Sequence, residues 1–367
     1  MKKLSHYNVQ KGFTLIELMV ALALGLIVIA AAIQLFVGGI LSSRLQQANA
    51  EIQDSGIFGL DYVMKDIRLL NQDNLANLKL DDQTAYGGVV LTGSTAASTT
   101  NVNFVPKVGT TYVDPALLSR GQGDVVSTTA NYWKGLTAVT LKDRSGSTIS
   151  SPVSDQLTIQ FIAPTNMVNC EGSNVLAGDL VVERYFVRPD TNGAATDYAL
   201  ACDANTPLAT ADAVTAAATA RTTPDEITKV ITPQAINGLG NAGQIIIPRV
   251  DHFHVLLGAL TTTTNTATNP PAITNQFAYY TIPQYRTAAI AARAASTSIV
   301  PIETRILSVQ VSVLVHSANN AQNSAIDPTQ PLIMLDQTAT ATDTSTRFQR
   351  RVYSTTIALR NAMGESL

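Results

Sequence analysis

Gly12-Phe13-Thr14-Leu15-Ile16-Glu17-Leu18-Met19-Val20 opens an apolar run that continues to Leu41. No charged residue occurs from Leu18 to Ser43. A helix of that length crosses the roughly 30 Å hydrocarbon core of a bilayer. Glu17 stands at the start of this run. A charge at that depth costs a few kcal/mol or more and marks function rather than architecture. It needs a partner, and the run itself is read as providing none. Lys2, Lys3 and Lys11 precede the run, and Arg44 is the first basic residue after it. The positive-inside bias therefore holds residues 1–12 in the cytoplasm and sends the rest of the chain outward.

A signal peptide cut near Ala30-Ala31-Ala32 fits the A-x-A pattern, and a plain membrane anchor fits the length. Neither accounts for the acid at the head of the apolar segment, which impedes insertion. The residues Gly12-Phe13-Thr14-Leu15-Ile16-Glu17-Leu18, behind a basic leader, resemble the class III signal of type IV pilins and of type II secretion pseudopilins. The resemblance implies that a prepilin peptidase cuts between Gly12 and Phe13 and that the new N-terminal Phe13 is N-methylated. The apolar helix then stays on the mature chain. It further implies that Glu17 pairs with the Phe13 amine of a neighbouring subunit, so that two charges costly in lipid become one ion pair.

The 367 residues are enough for a sizeable core. Aromatics are sparse at 6%, charges make up 14%, and Ala, Thr and Asn are abundant, which suits an exported, β-rich domain with polar loops. The formal charge is −3; loss of the leader would leave 21 basic against 27 acidic residues, or −6. Such a balance gives no footprint for nucleic acid. Cys170 and Cys202 match neither a zinc spacing nor a CxxC motif. In an oxidising compartment they are expected to form one disulfide, worth about 3.5–4 kcal/mol by loop-closure entropy. The alternative is two unrelated buried thiols.

Past the apolar run, Leu41, Leu45, Ala48, Ile52, Gly56, Leu60, Val63, Ile67 and Leu70 recur at intervals of three and four. Arg44, Gln46, Gln47, Asn49, Gln53, Asp54, Asp61, Lys65 and Arg68 lie opposite. One apolar stripe on a continuing helix follows, with Gly56 and Gly59 as places for close approach. The spacing predicts a helix over 13–72, membrane-spanning over about 14–41. Residues 73–367 then form a β-rich headgroup. Alternation of period two marks strands at Leu157–Phe161, Phe253–Leu257, Leu307–Val315 and Tyr353–Leu359. The fold class is α+β: a long N-terminal helix packed on a mostly antiparallel sheet. The Thr-, Ser- and Ala-rich stretches 92–111, 204–224 and 258–275 read as surface loops.

Cys170-Glu171-Gly172, Val182-Glu183-Arg184-Tyr185-Phe186-Val187 and Leu200-Ala201-Cys202 resemble a segment of PilW-type minor pilins. Val250-Asp251-His252-Phe253-His254-Val255, Ser308–Val315 and Thr356–Asn361 follow in the order of that family. The resemblance implies a minor pilin that primes a type IV pilus and sits at or near its tip, with roles in twitching and adhesion. Its partners would be the prepilin peptidase, other minor pilins, the major pilin and a large tip adhesin. Its location would be the inner membrane, single-pass with the C-terminus in the periplasm, then the pilus surface. A minor pseudopilin of type II secretion, of the J type, is the nearest rival; an anchored exported enzyme or binding module is the second.

Catalytic motifs are not found: the sequence has no HExxH, Walker A loop or GxSxG elbow. His6 lies in the leader. His252 and His254 share a strand face beside Asp251 and could ligate a metal, but the simpler expectation is a solvated polar face; His316 is the fourth histidine. Asp203, Asn205 and Asp212 could line a calcium loop, though turn chemistry accounts for them better. No cofactor and no enzymatic activity are expected.

Overall fold

The computed structural model describes residues 12–72, 74, 79–84, 86–93, 107–108, 111–112, 114–193, 197–222, 236–321 and 326–360. The leader residues 1–11 with His6, most of the 92–111 stretch, residues 223–224 and Asn361 lie outside them.

Helix α1 runs over Leu15–Arg68, 54 residues or about 80 Å. Its C-cap is Leu69, and two residues on Asn71 adopts a left-handed conformation with φ 60°, which asparagine tolerates. Its two halves differ as the hydrophobic pattern requires. Residues 15–40 are exposed all round, whereas Ala48, Ile52, Gly56, Gly59, Leu60, Val63 and Ile67 are buried. Burying each of Ile52, Val63 and Ile67 contributes about 1.5–3 kcal/mol.

The rest of the chain runs β1 (Gly88–Val89), β2 (Val139–Lys142), β3 (Leu157–Ile162), β4 (Leu180–Pro189), β5 (Tyr198–Ala204) and α2 (Ala211–Thr222). It continues through β6 (Gln244–Pro248), β7 (Val250–Asn265), β8 (Ala272–Thr281), α3 (Ile282–Ala295) and β9 (Ile302–His316). The last strands are β10 (Leu332–Met334), β11 (Gln337–Ala341) and β12 (Arg350–Ala358); two further two-stranded ladders pair 107–108 with 111–112 and 167–168 with 174–175. A first sheet has the order β1-β3-β4-β5-β6, a second β8-β7-β9-β12 and a third β10-β11-β2. Every described pairing is antiparallel. The fold is α+β, as the sequence indicates.

The first and second sheets join at Arg249, whose φ of 55° lets the chain turn from β6 straight into β7. Helix α1 packs where they meet, against β6, β9 and β12. One core unites Val63, Ile67 and Leu70 of the helix segment with Phe161 and Tyr185 of the first sheet and Phe253 and Val311 of the second. Gly56 lies under the Tyr353 ring and Gly59 under Ile247, with no room for a Cβ at either. The helix-weakening cost of about 1 kcal/mol per glycine is thereby offset by close approach of the sheets. Helix α3 caps the far end of the core with Ile282, Tyr285 and Ala289.

Two of the expected loops are in part regular structure. Thr261–Thr264 belong to β7, all four paired on one side with β8 and Thr261–Thr263 paired on the other with β9. Composition alone suggested a loop over 258–275, but four consecutive β-branched residues suit a pleated strand. Within 204–224, Thr210 accepts a hydrogen bond from the Ala213 amide and starts α2.

Candidate functional site

The Gly12–Phe13 bond precedes the helix in exposed, non-helical backbone. Phe13 is 89% exposed, and among the described residues nothing beyond its chain neighbours lies within 4 Å of where a Cβ would stand on Gly12. Thr14 is the N-cap. Its amide donates to Glu17 Oε2 at 3.0 Å, its hydroxyl donates to the same oxygen at 2.9 Å, and its Oγ1 accepts from the Glu17 amide at 3.3 Å. This is a capping box. It corrects the sequence reading that the run offers Glu17 no partner: Thr14 is one. Threonine followed three residues later by glutamate, just ahead of an apolar run, was the legible signal.

Among the described residues, nothing covers residues 15–40. Leu15, Ile27, Leu35 and Phe36 stand more than half exposed. An apolar cylinder of about 39 Å therefore awaits lipid or other helices, with one carboxylate at its head.

Three groups of buried charges tie the headgroup together. In the first, Asp66 of α1 accepts a 2.6 Å hydrogen bond from the Tyr185 hydroxyl, which lies 3.3 Å from Glu183 Oε2. Glu183 Oε1 accepts from the Cys170 amide at 2.9 Å. Burial, reinforced by Asp66, pushes the Glu183 carboxyl up to about 8, so it is protonated at neutral pH. Beside it Cys170 and Cys202 are joined in a disulfide. In the second, Arg184 donates twice to Asp203 Oδ2, at 3.0 and 2.7 Å, and also to Gln156 and to the carbonyls of Asn131 and Asn241. Asp203 in turn accepts from the Gly240 and Asn241 amides and so pins that loop.

The third group holds the histidines. His252 and His254 do share a face of β7, but the face is buried, not solvated. The third sheet lies over it, fastened by His254 Nε2 at 2.7 Å from Asp336 Oδ1, while Nδ1 is 2.8 Å from Asp155 Oδ2. Burial alone would lower the His254 pKa; Asp155 and Asp336 outweigh it and push it up to about 9. His252 is held down near 3 by burial and by the charge on His254, with Nδ1 within 3.1 Å of the Thr137 and Ser154 hydroxyls. His316 approaches Asp251 at 2.9 Å and Asp197 at 3.7 Å, and Arg350 donates to Asp251 at 2.8 Å.

These placements decide the metal candidates. His254 spends both nitrogens on carboxylates, and Asp251 faces His316 and Arg350 instead of His252. Among the described residues, the group with ligand spacing is Cys170, Glu183 and Cys202, whose sulfurs are consumed in the disulfide. Asp203, Asn205 and Asp212 do not converge, and turn chemistry does not explain them either. Asp203 is the partner of Arg184, Asn205 binds the Val182 amide and the Leu180 carbonyl, and Asp212 sits in the first turn of α2. Asp66 and the roles of Glu183, Arg184 and Asp155 are additions the sequence reading lacked. Charges embedded in Leu180-Val181-Val182-Glu183-Arg184-Tyr185-Phe186-Val187 were the available signal, because a buried strand holds a charge only with a partner.

A model of the prokaryotic N-terminal methylation motif matches residues 7–33, and one of the type IV pilus-assembly protein W family matches residues 184–361. No curated protein matches the chain. Among solved structures, a type IV-like pilin from Thermus thermophilus is similar at 14% identity over 62% of this chain and 86% of that chain, with a TM-score of 0.25.

Proposed function

We propose that this chain, a type IV pilin-like protein with a PilW domain, is a minor pilin that primes assembly of a type IV pilus and is built in at or near its tip. The observation that carries this reading is the exposed Gly12–Phe13 junction directly ahead of the capped, uncovered helix. A cut there by the prepilin peptidase creates a positive Phe13 amine, which is then N-methylated. It leaves the whole apolar segment on the mature chain.

Glu17 then has two successive partners. Before assembly its carboxylate is held by Thr14, both contacts falling on Oε2. On insertion it meets the Phe13 amine of a neighbouring pilin, in a setting where an unpaired ion is costly and a pair is tolerated. The apolar run passes from lipid to the flanking helices of other minor pilins and the major pilin. The headgroup, first periplasmic and then on the cell surface, selects neighbours and carries a large adhesin. In this reading the chain is a structural subunit and the substrate of a peptidase, not an enzyme.

Deletion of the gene tests it. The expected result is loss of surface pili and of twitching, with type II secretion intact. Intact pili with lost secretion would overturn the assignment and make the chain a pseudopilin.

A further inference from the structure

We propose that the outer edge of β8, Ala272–Thr281, is a strand-addition site for an extended, uncharged segment of a different protein. Strand β8 closes one end of the second sheet and pairs only with β7 among the described residues. That pairing runs without a bulge from Leu256↔Thr281 to Asn265↔Ala272. On the other side, alternate residues point their N–H and C=O groups outward, a ready template for one more strand.

Folded proteins blunt such edges with charge, proline, bulges or short strands, and the other edges of this headgroup follow the rule. Strand β6 carries a register break and Pro248; β1 is two residues long. Strand β10 is three residues long, β2 ends on Lys142, and β12 begins with Arg350-Arg351. Strand β8 has none of these devices. No charged residue occurs from Val255 to Tyr285, and β8 contains no proline.

The edge also shows an apolar face. Ile273, Phe277 and Tyr279 share one side of the strand and are 58%, 48% and 41% exposed. The Phe277 and Tyr279 rings meet edge to face at 5.2 Å, across from Gly258, where a Cβ would strike both. A groove of about 820 Å³ adjoins Tyr279 and passes over Leu256 and Gln310 toward Ile333, with Asp143, Arg144 and Asp336 in its lining. Main-chain bonding along an edge with side-chain pockets beside it is how strand addition gains affinity and selectivity.

The paired stretch of the occupant is uncharged because the hairpin from Val255 to Tyr285 carries no counter-charge to a buried ion; the charges of the adjoining groove, Asp143, Arg144 and Asp336, belong to other segments. It belongs to another protein because a second copy fails on symmetry. Two β8 edges pairing antiparallel are related by a two-fold axis normal to the sheet. That rotation reverses α1, which packs along the sheets, so two such copies could not be anchored the same way in one membrane. This exclusion of a second copy rests on the anchored reading of α1; the edge itself does not.

A photoreactive phenylalanine analogue placed in turn at positions 273, 275 and 277 of the full-length chain, in its own cells, tests the site. The expected adducts join one uncharged segment of one other protein. The attachment point should move two residues along that segment for each two-residue step along β8. Gln276→Lys should lower adduct yield about tenfold, while Gln276→Thr keeps the yield and both variants keep the headgroup melting temperature. Adducts to the chain itself, to scattered or charged segments, or none at all would overturn the proposal, as would a yield untouched by Gln276→Lys. The mature N-terminus, read from the same cells, reports separately on the pilin assignment.

Discussion

At the scale of single residues, Glu17 combines two jobs that one substitution can separate. Glutamine at the third helical position also closes a capping box, so Glu17→Gln keeps the helix start and removes only the charge. It should be cleaved normally, because the cut depends on Gly12, and should fail to enter filaments. Immunoblots of membrane and sheared-pilus fractions measure this, and wild-type incorporation would contradict the ion pair. Glu183 and His254 give a second residue-scale prediction. The Glu183 carboxyl is raised from 4.5 to about 8, so its contribution is full below 4.5 and lost as pH rises through 8. His254, raised from 6.5 to about 9, loses its contribution as pH rises through 9. His252, depressed to about 3, acts only below its unfolded value of 6.5. Between pH 6.5 and 8, then, the headgroup melting temperature should fall as pH rises. Glu183→Gln, which keeps the shape and the Cys170 contact without a titrating proton, should flatten that slope.

At the scale of elements, legibility followed local spacing. The apolar stripe of α1 recurs within one helix and could be counted; the strands of Leu157–Phe161 and Leu307–Val315 alternate within one strand. The Thr-rich arm of β7 reads as a loop by composition because what makes it a strand is pairing, with Ile273–Gln276 in the other arm of its hairpin and with Ile302–Thr304 farther along the chain. The buried ion groups were opaque for the same reason: Asp66 meets Tyr185 across 119 residues and His254 meets Asp155 across 99. The helix glycines were readable as places of close approach but not as to what approaches. Gly59→Leu should push Ile247 aside and lower headgroup stability by about 1–3 kcal/mol. Gly38→Ala, in open space, should leave it unchanged. Thermal unfolding of the two variants compares them directly.

At the scale of the whole molecule, one helix serves two environments. Among the described residues its first half has no cover and offers an apolar surface to lipid or to other helices; its second half is part of the headgroup core. The headgroup can therefore remain folded while the apolar half changes surroundings, which is what the proposed transfer from membrane to filament demands. Everything in that account depends on the Gly12–Phe13 cut, because only cleavage there creates the amine that Glu17 is proposed to meet. Intact-mass and N-terminal peptide mass spectrometry of the protein from assembled pili is the most direct measurement. The account predicts a chain that begins at N-methylated Phe13. A mature chain that begins at Met1, or beyond the apolar run near Ala32, would contradict it.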